Sequence, residues 1–142
     1  MEGRVLALDV GDVRIGIAAS DLLGLTAQPR ESYRRTTPAE DVEAIKRAVA
    51  EAEAYRVVVG LPLNEKGETG HQAERVLAFV EMLRAALDVE VVTMDERFTT
   101  AIARRSLIQS DMRRAKRKKV IDIVAAQQIL QTYLDRERNR RS

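Results

Sequence analysis

The sequence has no cysteine and only one histidine, His71. Disulfide bonds, thiolate nucleophiles and zinc sites built on sulfur are therefore excluded, as is any metal site that needs several histidines. Tryptophan is absent and aromatic residues make up only 4% of the chain. This scarcity disfavours a glycosidase with paired carboxylates, because such an enzyme usually offers aromatic platforms to its sugars.

The sequence also lacks a long apolar run. No segment approaches the length of a membrane span, and the N-terminus does not have the basic-then-apolar layout of a signal peptide. We therefore predict a cytoplasmic protein with no membrane partner. The chain has 142 residues, of which 45% are hydrophobic and 32% charged, a composition typical of a soluble globular protein. This length fits one domain, so we predict a single catalytic domain over residues 1–142.

Positive charge is concentrated in the last quarter of the chain. The formal net charge is +2, but residues 104–142 hold 12 Lys and Arg against 4 Asp and Glu. The densest run is MRRAKRKK at 112–119, and RERNRR follows at 136–141. Such blocks bind phosphate backbones through counterion release, which favours a nucleic-acid partner over an ordinary solvated surface. We predict that the basic residues that bind the nucleic acid include Arg113, Arg114, Lys116, Lys118 and Lys119.

An acidic residue stands at the end of the first apolar run. The stretch LALDVGDVRIGIAAS predicts a hairpin, with strands at 5–10 and 14–19 and Gly11 in the turn. The first strand is too apolar to be solvated on either face, and it carries Asp9 near its end. A buried carboxylate is costly unless a hydrogen bond, a counter-charge or a metal compensates it. Asp9 is therefore either satisfied within the turn or functional.

The middle of the chain alternates between helical and strand patterns. Helix followed by buried strand indicates a parallel crossover. The loop PLNEKGETG follows one of these strands, at the edge where open α/β sheets bind ligands, although such loops are often only surface connections. Its best candidates for substrate contact are Asn64 and His71. The predicted elements are an edge strand near 31–35, a helix from Pro38 to about Tyr55, a strand at 56–61, a helix at 70–87 and a strand at 89–94.

Three further candidate acids, Asp95, Glu96 and Asp122, lie in the second half of the chain. Asp95 and Glu96 end a strand and point to opposite faces, so only one can face a site beside Asp9, and the residue pattern leaves the choice open. The basic run 112–119 then reads as a connection, after a short helix from Thr99 or Thr100 to Ile108. Asp122 interrupts the apolar face of a predicted last helix, from Lys118 to about Arg136. Its carboxylate either interacts favourably with the helix dipole near the N-terminus or belongs to a site.

Acids from three separate elements suit a hard divalent cation. Mg²⁺ and Mn²⁺ prefer oxygen ligands. Two such ions held by carboxylates can activate water and stabilise the leaving oxygen in phosphodiester hydrolysis. The sequence therefore predicts a nuclease that uses Mg²⁺ or Mn²⁺.

Four segments resemble one known family, in this order and spacing: LALDVGDVRIGIAAS, VVVGLPLNEKGETG, MDERFTT and KKVIDIVAAQQILQTYL. They are similar to the YqgF (RuvX) family of bacterial ribonuclease H-like nucleases, and the resemblance covers essentially the whole chain. It implies an α/β fold of the ribonuclease H-like type, with a five-stranded mixed sheet flanked by helices. It also implies a catalytic metal site formed by Asp9, Glu96 and Asp122, and so selects Glu96 over Asp95.

The resemblance further implies roles for neighbouring residues. Arg14 lies in the hairpin motif, where it pairs with an acid of the site, contacts phosphate or forms a structural salt bridge. Arg97 and Thr99 follow the acid of the third motif, and Asn64 lies in the loop motif, where substrate is positioned. Family members are associated with maturation of the small-subunit ribosomal RNA precursor and were earlier proposed to resolve Holliday junctions. The expected partners are RNA, branched DNA and pre-ribosomal particles, bound by a monomer or a homodimer.

Two other classes fit parts of the sequence. The segment DVGDVRIG resembles the phosphate hairpin of actin-like and sugar-kinase ATPases, but those proteins close two such domains over the nucleotide and this chain has room for one. A noncatalytic RNA-binding assembly factor would also keep the fold. Such a factor would not need the three acids, so the acids distinguish it from a nuclease.

Overall fold

The protein forms one mixed sheet with helices on both faces. The structure, a computed structural model, describes residues 3–63, 66–67, 69–96 and 114–141, with the side chains at 114–120 and 141 outside the description. In these ranges the strands are β1 (Arg4–Val10), β2 (Arg14–Ser20), β3 (Ala27–Arg34), β4 (Ala54–Leu61) and β5 (Glu90–Asp95). The helices are α1 (Pro38–Ala52), α2 (His71–Ala86) and α3 (Arg114–Arg141).

The five strands lie in the order β3-β2-β1-β4-β5, so the apolar β1 is central. It pairs antiparallel with β2 and parallel with β4, and β4 pairs parallel with β5. The predicted mixed sheet is therefore confirmed. Because β1, β4 and β5 run in the same direction, their carboxyl ends meet at one edge of the sheet.

Alternating side chains of β1 fill two cores. Leu6 and Leu8 pack in a cluster with residues of α1 and α2 on one face. Val5 and Ala7 pack on the other face in a cluster with residues of α3. Because both faces of β1 are covered, its residues from Val5 to Leu8 are all apolar and Asp9 is the exception. The same alternation shows which of the two faces each residue of β1 occupies.

The boundaries of α1 follow from local chemistry. The Thr37 hydroxyl caps the helix by accepting a hydrogen bond from the Glu40 N–H at 3.2 Å, and a proline occupies the first turn. The helix ends at Ala52 because Glu53 adopts a left-handed conformation with φ of 54°. The prediction that this helix extends to about Tyr55 is therefore wrong. Tyr55 lies in β4, which begins two residues earlier than the predicted Arg56.

Two other predicted boundaries are corrected. Helix α3 begins at Arg114 rather than Lys118, so most of the run 112–119 is helix and not a connection. Lysine, arginine and alanine are good helix formers, and their charge does not prevent a helix that has solvent on one side. Strand β3 begins at Ala27, four residues before the predicted start. It tolerates Pro29 because it is an edge strand. The predicted short helix at 99–108 lies outside the described residues.

A buried carboxylate holds the start of α1 against the end of β3. Asp41 is only 1% exposed. It accepts hydrogen bonds from Arg35 Nε at 2.8 Å, the Thr36 N–H at 2.9 Å and the Tyr33 hydroxyl at 3.1 Å. Burial raises the pKa of this carboxyl, but the three hydrogen bonds and the Arg35 charge outweigh burial, so the pKa of Asp41 lies below its usual value.

This network predicts a dependence of stability on pH. Because the pKa of Asp41 is lower in the folded protein than in the unfolded chain, its stabilising contribution is complete above the unfolded pKa of about 3.9. The contribution is lost as the pH falls through the lower, folded value. We expect urea-unfolding midpoints to fall as the pH is lowered below about 4, and to fall less steeply in Asp41→Asn. Equal slopes for the two proteins would show that Asp41 does not contribute.

Candidate active site

Asp9 lies on the face of the sheet that α3 covers. Val5 and Ala7 belong to the core beneath α3, and Asp9 follows at the same period of two. It is 8% exposed and pairs with Gly16 of β2. The central strand therefore presents this carboxylate beneath the last helix, two residues from the turn.

The backbone of α3 rests directly on the sheet beside Asp9. A Cβ atom at Gly16 would lie 1.9 Å from the carbonyl oxygen of Asp122 and 2.4 Å from its carbonyl carbon. Only glycine permits this approach. The Asp122 side chain is half-buried, and its Oδ2 lies 3.5 Å from the hydroxyl of Ser32, which pairs with Gly16 from the edge strand. Asp122 is therefore placed over β2 and β3, on one side of Asp9.

Glu96 lies on the other side of Asp9. It directly follows β5 and is 4% exposed. A Cβ atom at Gly60 of β4 would lie 3.0 Å from Cγ of Glu96 and 2.5 Å from Cδ1 of Ile129, a core residue of α3. Glu96 is thus on the α3 face. Asp95 pairs with Leu61, which packs against the opposite core.

The three predicted acids therefore share one face and one end of the sheet, with Asp9 in the middle. None of the three lacks a polar partner. Across the residues that the structure describes, no three acidic or histidine side chains have the spacing of metal ligands. The donor set still fits Mg²⁺ or Mn²⁺ chemically, because carboxylate oxygens are the ligands that both ions prefer. Gly16 admits the backbone of Asp122, and Gly60 admits the side chain of Glu96, because neither glycine has a β-carbon.

Arg14 begins β2 on the same face as Gly16. Its carbonyl oxygen accepts a hydrogen bond from the Gly11 N–H at 2.8 Å, which closes the β1–β2 turn. The side chain is half-buried and forms no ion pair with any other described residue. The three roles predicted for Arg14, which are pairing with an acid of the site, a phosphate contact and a structural salt bridge, therefore stay predictions.

Only some of the other residues predicted to bind substrate lie within the described ranges. Arg114, Lys116, Lys118 and Lys119 lie in the first turns of α3. At about 1.5 Å per residue these turns extend roughly 12 Å before Asp122. Helix α3 passes from Asp122 over Gly16 to Gln131, which bonds to Ala27 at the far end of β3. The basic turns therefore lie toward the acidic end of the sheet. Predicted contacts outside the described residues are Asn64, Arg97, Thr99 and Arg113.

Sequence reasoning missed the residues that make room for the site. Gly16, Gly60 and Ser32 were not predicted to matter. Glycine inside a strand is a signal of close backbone approach, and both glycines interrupt otherwise apolar strands. His71, by contrast, is fully exposed at the start of α2, with Nδ1 3.9 Å from Oε2 of Glu74.

Two solved structures in complex with Holliday junctions share this architecture. The chain superimposes on Thermus thermophilus RuvC in complex with a Holliday junction substrate with a TM-score of 0.60, 12% sequence identity and coverage of 96% of both chains. It superimposes on a fowlpox virus resolvase in complex with Holliday junction DNA with a TM-score of 0.57, 12% identity and coverage of 94% and 98%. At these identities the likeness concerns the fold, which is ribonuclease H-like as predicted.

Sequence comparison identifies the family. The model of the RuvX family, described as "Holliday junction resolvase", matches residues 3–136. A Clostridioides difficile (strain 630) protein is 46% identical over 135 residues, which cover 95% of this chain and 96% of the relative. A Desulforamulus reducens protein is 48% identical over 132 residues, with coverage of 93% and 96%. Both are named "Putative pre-16S rRNA nuclease". The chain belongs to the RuvX (YqgF) family, which confirms the predicted resemblance and the nuclease class.

The described residues contain no helix that is both long enough and apolar enough to span a membrane.

Proposed function

We propose that this protein is a divalent-metal-dependent nuclease that processes the precursor of small-subunit ribosomal RNA. The observation that carries the proposal is the convergence of Asp9, Glu96 and Asp122 on one face and one end of the sheet. They come from a central strand, the end of a parallel strand and a helix. A protein that only bound RNA would have no need to bury carboxylates beside a phosphate backbone, which they repel.

The three carboxylates are the residues that would hold Mg²⁺ or Mn²⁺. When bound, such ions supply an activated water and stabilise the charge that develops on the leaving oxygen. The sheet register directs Asp9 to the face that α3 covers, the contact of its backbone with Gly16 places Asp122, and packing beside Gly60 places Glu96. A rigid scaffold of this kind holds ligands in place before substrate arrives.

Basic residues hold the substrate in this proposal. Arg14 contacts a phosphate from the sheet side, because it faces α3 two residues from Gly16 and has no ion pair among the described residues. The first turns of α3 approach from the other side, and they carry Arg114, Lys116, Lys118 and Lys119. Further substrate contacts in the proposal are Asn64, Arg97, Thr99 and Arg113.

The name of the curated relatives favours ribosomal RNA as the substrate. Both relatives are named for pre-16S rRNA, at 46% and 48% identity over nearly the full chain. On this proposal the protein acts in the cytoplasm on RNA, free or within pre-ribosomal particles. The description of the family model supports a second candidate, the resolution of four-way DNA junctions. That activity calls for a homodimer, because two strands must be cut symmetrically, whereas RNA processing is open to a monomer.

Cleavage of matched substrates tests the proposal. We expect a single-stranded RNA with ribosomal precursor sequence to be cut in the presence of Mg²⁺ or Mn²⁺. A site specific for RNA should cut a four-way DNA junction at least about tenfold more slowly. Asp122→Asn is the control for contaminating nucleases, because cleavage by a contaminant would persist in preparations of this variant. Symmetric junction cleavage that Asp122→Asn abolishes would instead support the resolvase. Binding of the RNA without cleavage of either substrate would support a noncatalytic assembly factor.

A further inference from the structure

The turn between β1 and β2 is contacted by Arg35, the residue that directly follows β3. Nη1 of Arg35 donates a hydrogen bond to the carbonyl oxygen of Gly11 at 2.9 Å, and the Arg35 backbone N–H donates to the carbonyl oxygen of Val13 at 2.8 Å. Both acceptors belong to the turn that joins Asp9 to Arg14. Arg35 therefore forms two hydrogen bonds with this turn, one from its side chain and one from its backbone.

The guanidinium of Arg35 is itself fixed in place. Its Nε lies 2.8 Å from Oδ2 of Asp41, and its Cζ lies 5.0 Å from the centroid of the Phe79 ring of α2. Asp41 is buried and is oriented in turn by the Tyr33 hydroxyl and the Thr36 N–H. The Arg35 side chain therefore cannot change rotamer without breaking its ion pair with the buried Asp41. This holds its hydrogen bond to Gly11 in a fixed geometry.

Among the described residues, few other contacts join residues 11–13 to elements other than β1 and β2. Val13 is 52% exposed, and the ion pair of Asp12 with Arg75, at 3.6 Å, joins two exposed side chains and contributes little. The Gly11 N–H to Arg14 carbonyl bond closes the turn on itself but does not tie it to the rest of the protein. The paired residues Val10 and Ile15 anchor the two ends of the turn in the core. Among the described residues, the strongest contacts that tie residues 11–13 to elements other than β1 and β2 are therefore those of Arg35.

We infer that Arg35, held by Asp41, is a positioning residue that fixes Asp9 and Arg14 for metal and phosphate binding. The inference rests on the proposed function, in which those two residues contact metal and substrate. Asp9 lies two residues before Gly11, so a displaced turn moves the end of β1 and the start of β2 together. Groups that hydrogen-bond directly to a metal ligand are typically worth about 10- to 100-fold in metal affinity. Arg35 acts on Asp9 through the turn, so we expect the lower end of this range, about tenfold.

The matched variants are Arg35→Lys and Arg84→Lys. Arg84 also binds a backbone carbonyl through its guanidinium, with Nε 3.1 Å and Nη2 3.0 Å from the Val91 oxygen, and it also pairs with a carboxylate, that of Glu81. Its target lies near the start of β5, at the end of the sheet away from the three acids. The same substitution thus removes the same kind of contact in two places, only one of which is the β1–β2 turn.

Two measurements separate positioning from stability. In metal-free protein we expect the Gly11 amide to exchange with solvent about tenfold faster in Arg35→Lys than in wild type, and at the wild-type rate in Arg84→Lys. The dissociation constant for Mn²⁺, from the rise in melting temperature with metal, is expected to increase about tenfold in Arg35→Lys only. If Arg35→Lys does not fold, Asp41→Asn, which keeps the shape of the side chain and loosens the guanidinium, is measured in its place with the same expectation.

The outcomes are distinguishable from those of the proposed function. Wild type that binds Mn²⁺ and cleaves RNA, with equal Gly11 exchange and equal Mn²⁺ affinity in both lysine variants, would overturn the inference and leave the nuclease standing. Wild type that neither binds Mn²⁺ nor cleaves RNA would overturn the proposed function. Faster Gly11 exchange confined to Arg35→Lys, with weaker Mn²⁺ binding, supports the positioning role.

Discussion

Asp9→Asn is expected to lower the rate of RNA cleavage at least about a thousandfold without unfolding the protein. Asparagine has the shape of aspartate, so it fits the same position on the central strand, but it lacks the charge that a divalent ion requires. Lewis-acid stabilisation of the transition state is worth several kilocalories per mole, and each tenfold loss of rate corresponds to about 1.36 kcal/mol. A thousandfold loss therefore corresponds to about 4 kcal/mol.

The measurement is single-turnover cleavage of labelled RNA at saturating Mg²⁺, together with the melting temperature with and without metal. A metal that binds only the native state stabilises it by about 2.7 kcal/mol when its concentration is a hundred times the dissociation constant. The melting temperature of wild type therefore rises with added metal. We expect this rise to be absent or much smaller in Asp9→Asn.

The matched control is Asp12→Asn, the same change three residues further along the chain. Asp12 is exposed in the turn, and its nearest charged partner is Arg75 at 3.6 Å. Its substitution should leave cleavage within about twofold of wild type, since exposed ion pairs of this length contribute little. Cleavage by Asp9→Asn at the wild-type rate would remove Asp9 from the mechanism. Equal losses in both variants would point to the net charge of this end of the molecule instead.

The elements of the fold were predictable where local patterns determine them. The apolar runs around Gly11 indicated the β1–β2 hairpin, and the repeating apolar face of α2 located that helix to within one residue at each end. The start of α3 was not predictable in this way. Its first turns carry a run of Lys and Arg with no apolar periodicity, and such a run looks like a solvated connection until the helix that follows it is known.

The candidate site was predictable in composition but not in arrangement. The period of two along a strand shows that Asp95 and Glu96 face opposite ways, but it does not show which face α3 covers. That depends on contacts between residues far apart in sequence, such as Gly60 with Glu96 and Ile129. For the same reason Gly16 and Gly60 were not predicted, because a glycine inside an apolar strand indicates a close approach but not which residue approaches it.

Gly16→Ala is expected to destabilise the protein by about 3 kcal/mol and to lower cleavage about a hundredfold. The added Cβ would lie 1.9 Å from the carbonyl oxygen of Asp122 and 3.1 Å from its Cα. These are backbone atoms of a helix and cannot rotate away, so α3 must move off the sheet by more than an ångström, carrying the Asp122 side chain with it. A displacement of about 1 Å in a catalytic group is sufficient for a hundredfold loss.

Two other glycines provide graded controls. At Gly60 the closest atom to an added Cβ is the terminal Cδ1 of Ile129, at 2.5 Å, which can change rotamer, so Gly60→Ala should cost less, about 1 to 2 kcal/mol. At Gly70, before α2, no described atom lies within 4 Å of the added Cβ, so Gly70→Ala should change stability by less than about 1 kcal/mol. Urea unfolding of the three variants measures this order directly. If Gly16→Ala were as stable and as active as Gly70→Ala, the backbone contact between α3 and β2 could not be what sets the position of Asp122, and the site would have to be held together from its other side, by Glu96 and the end of β5.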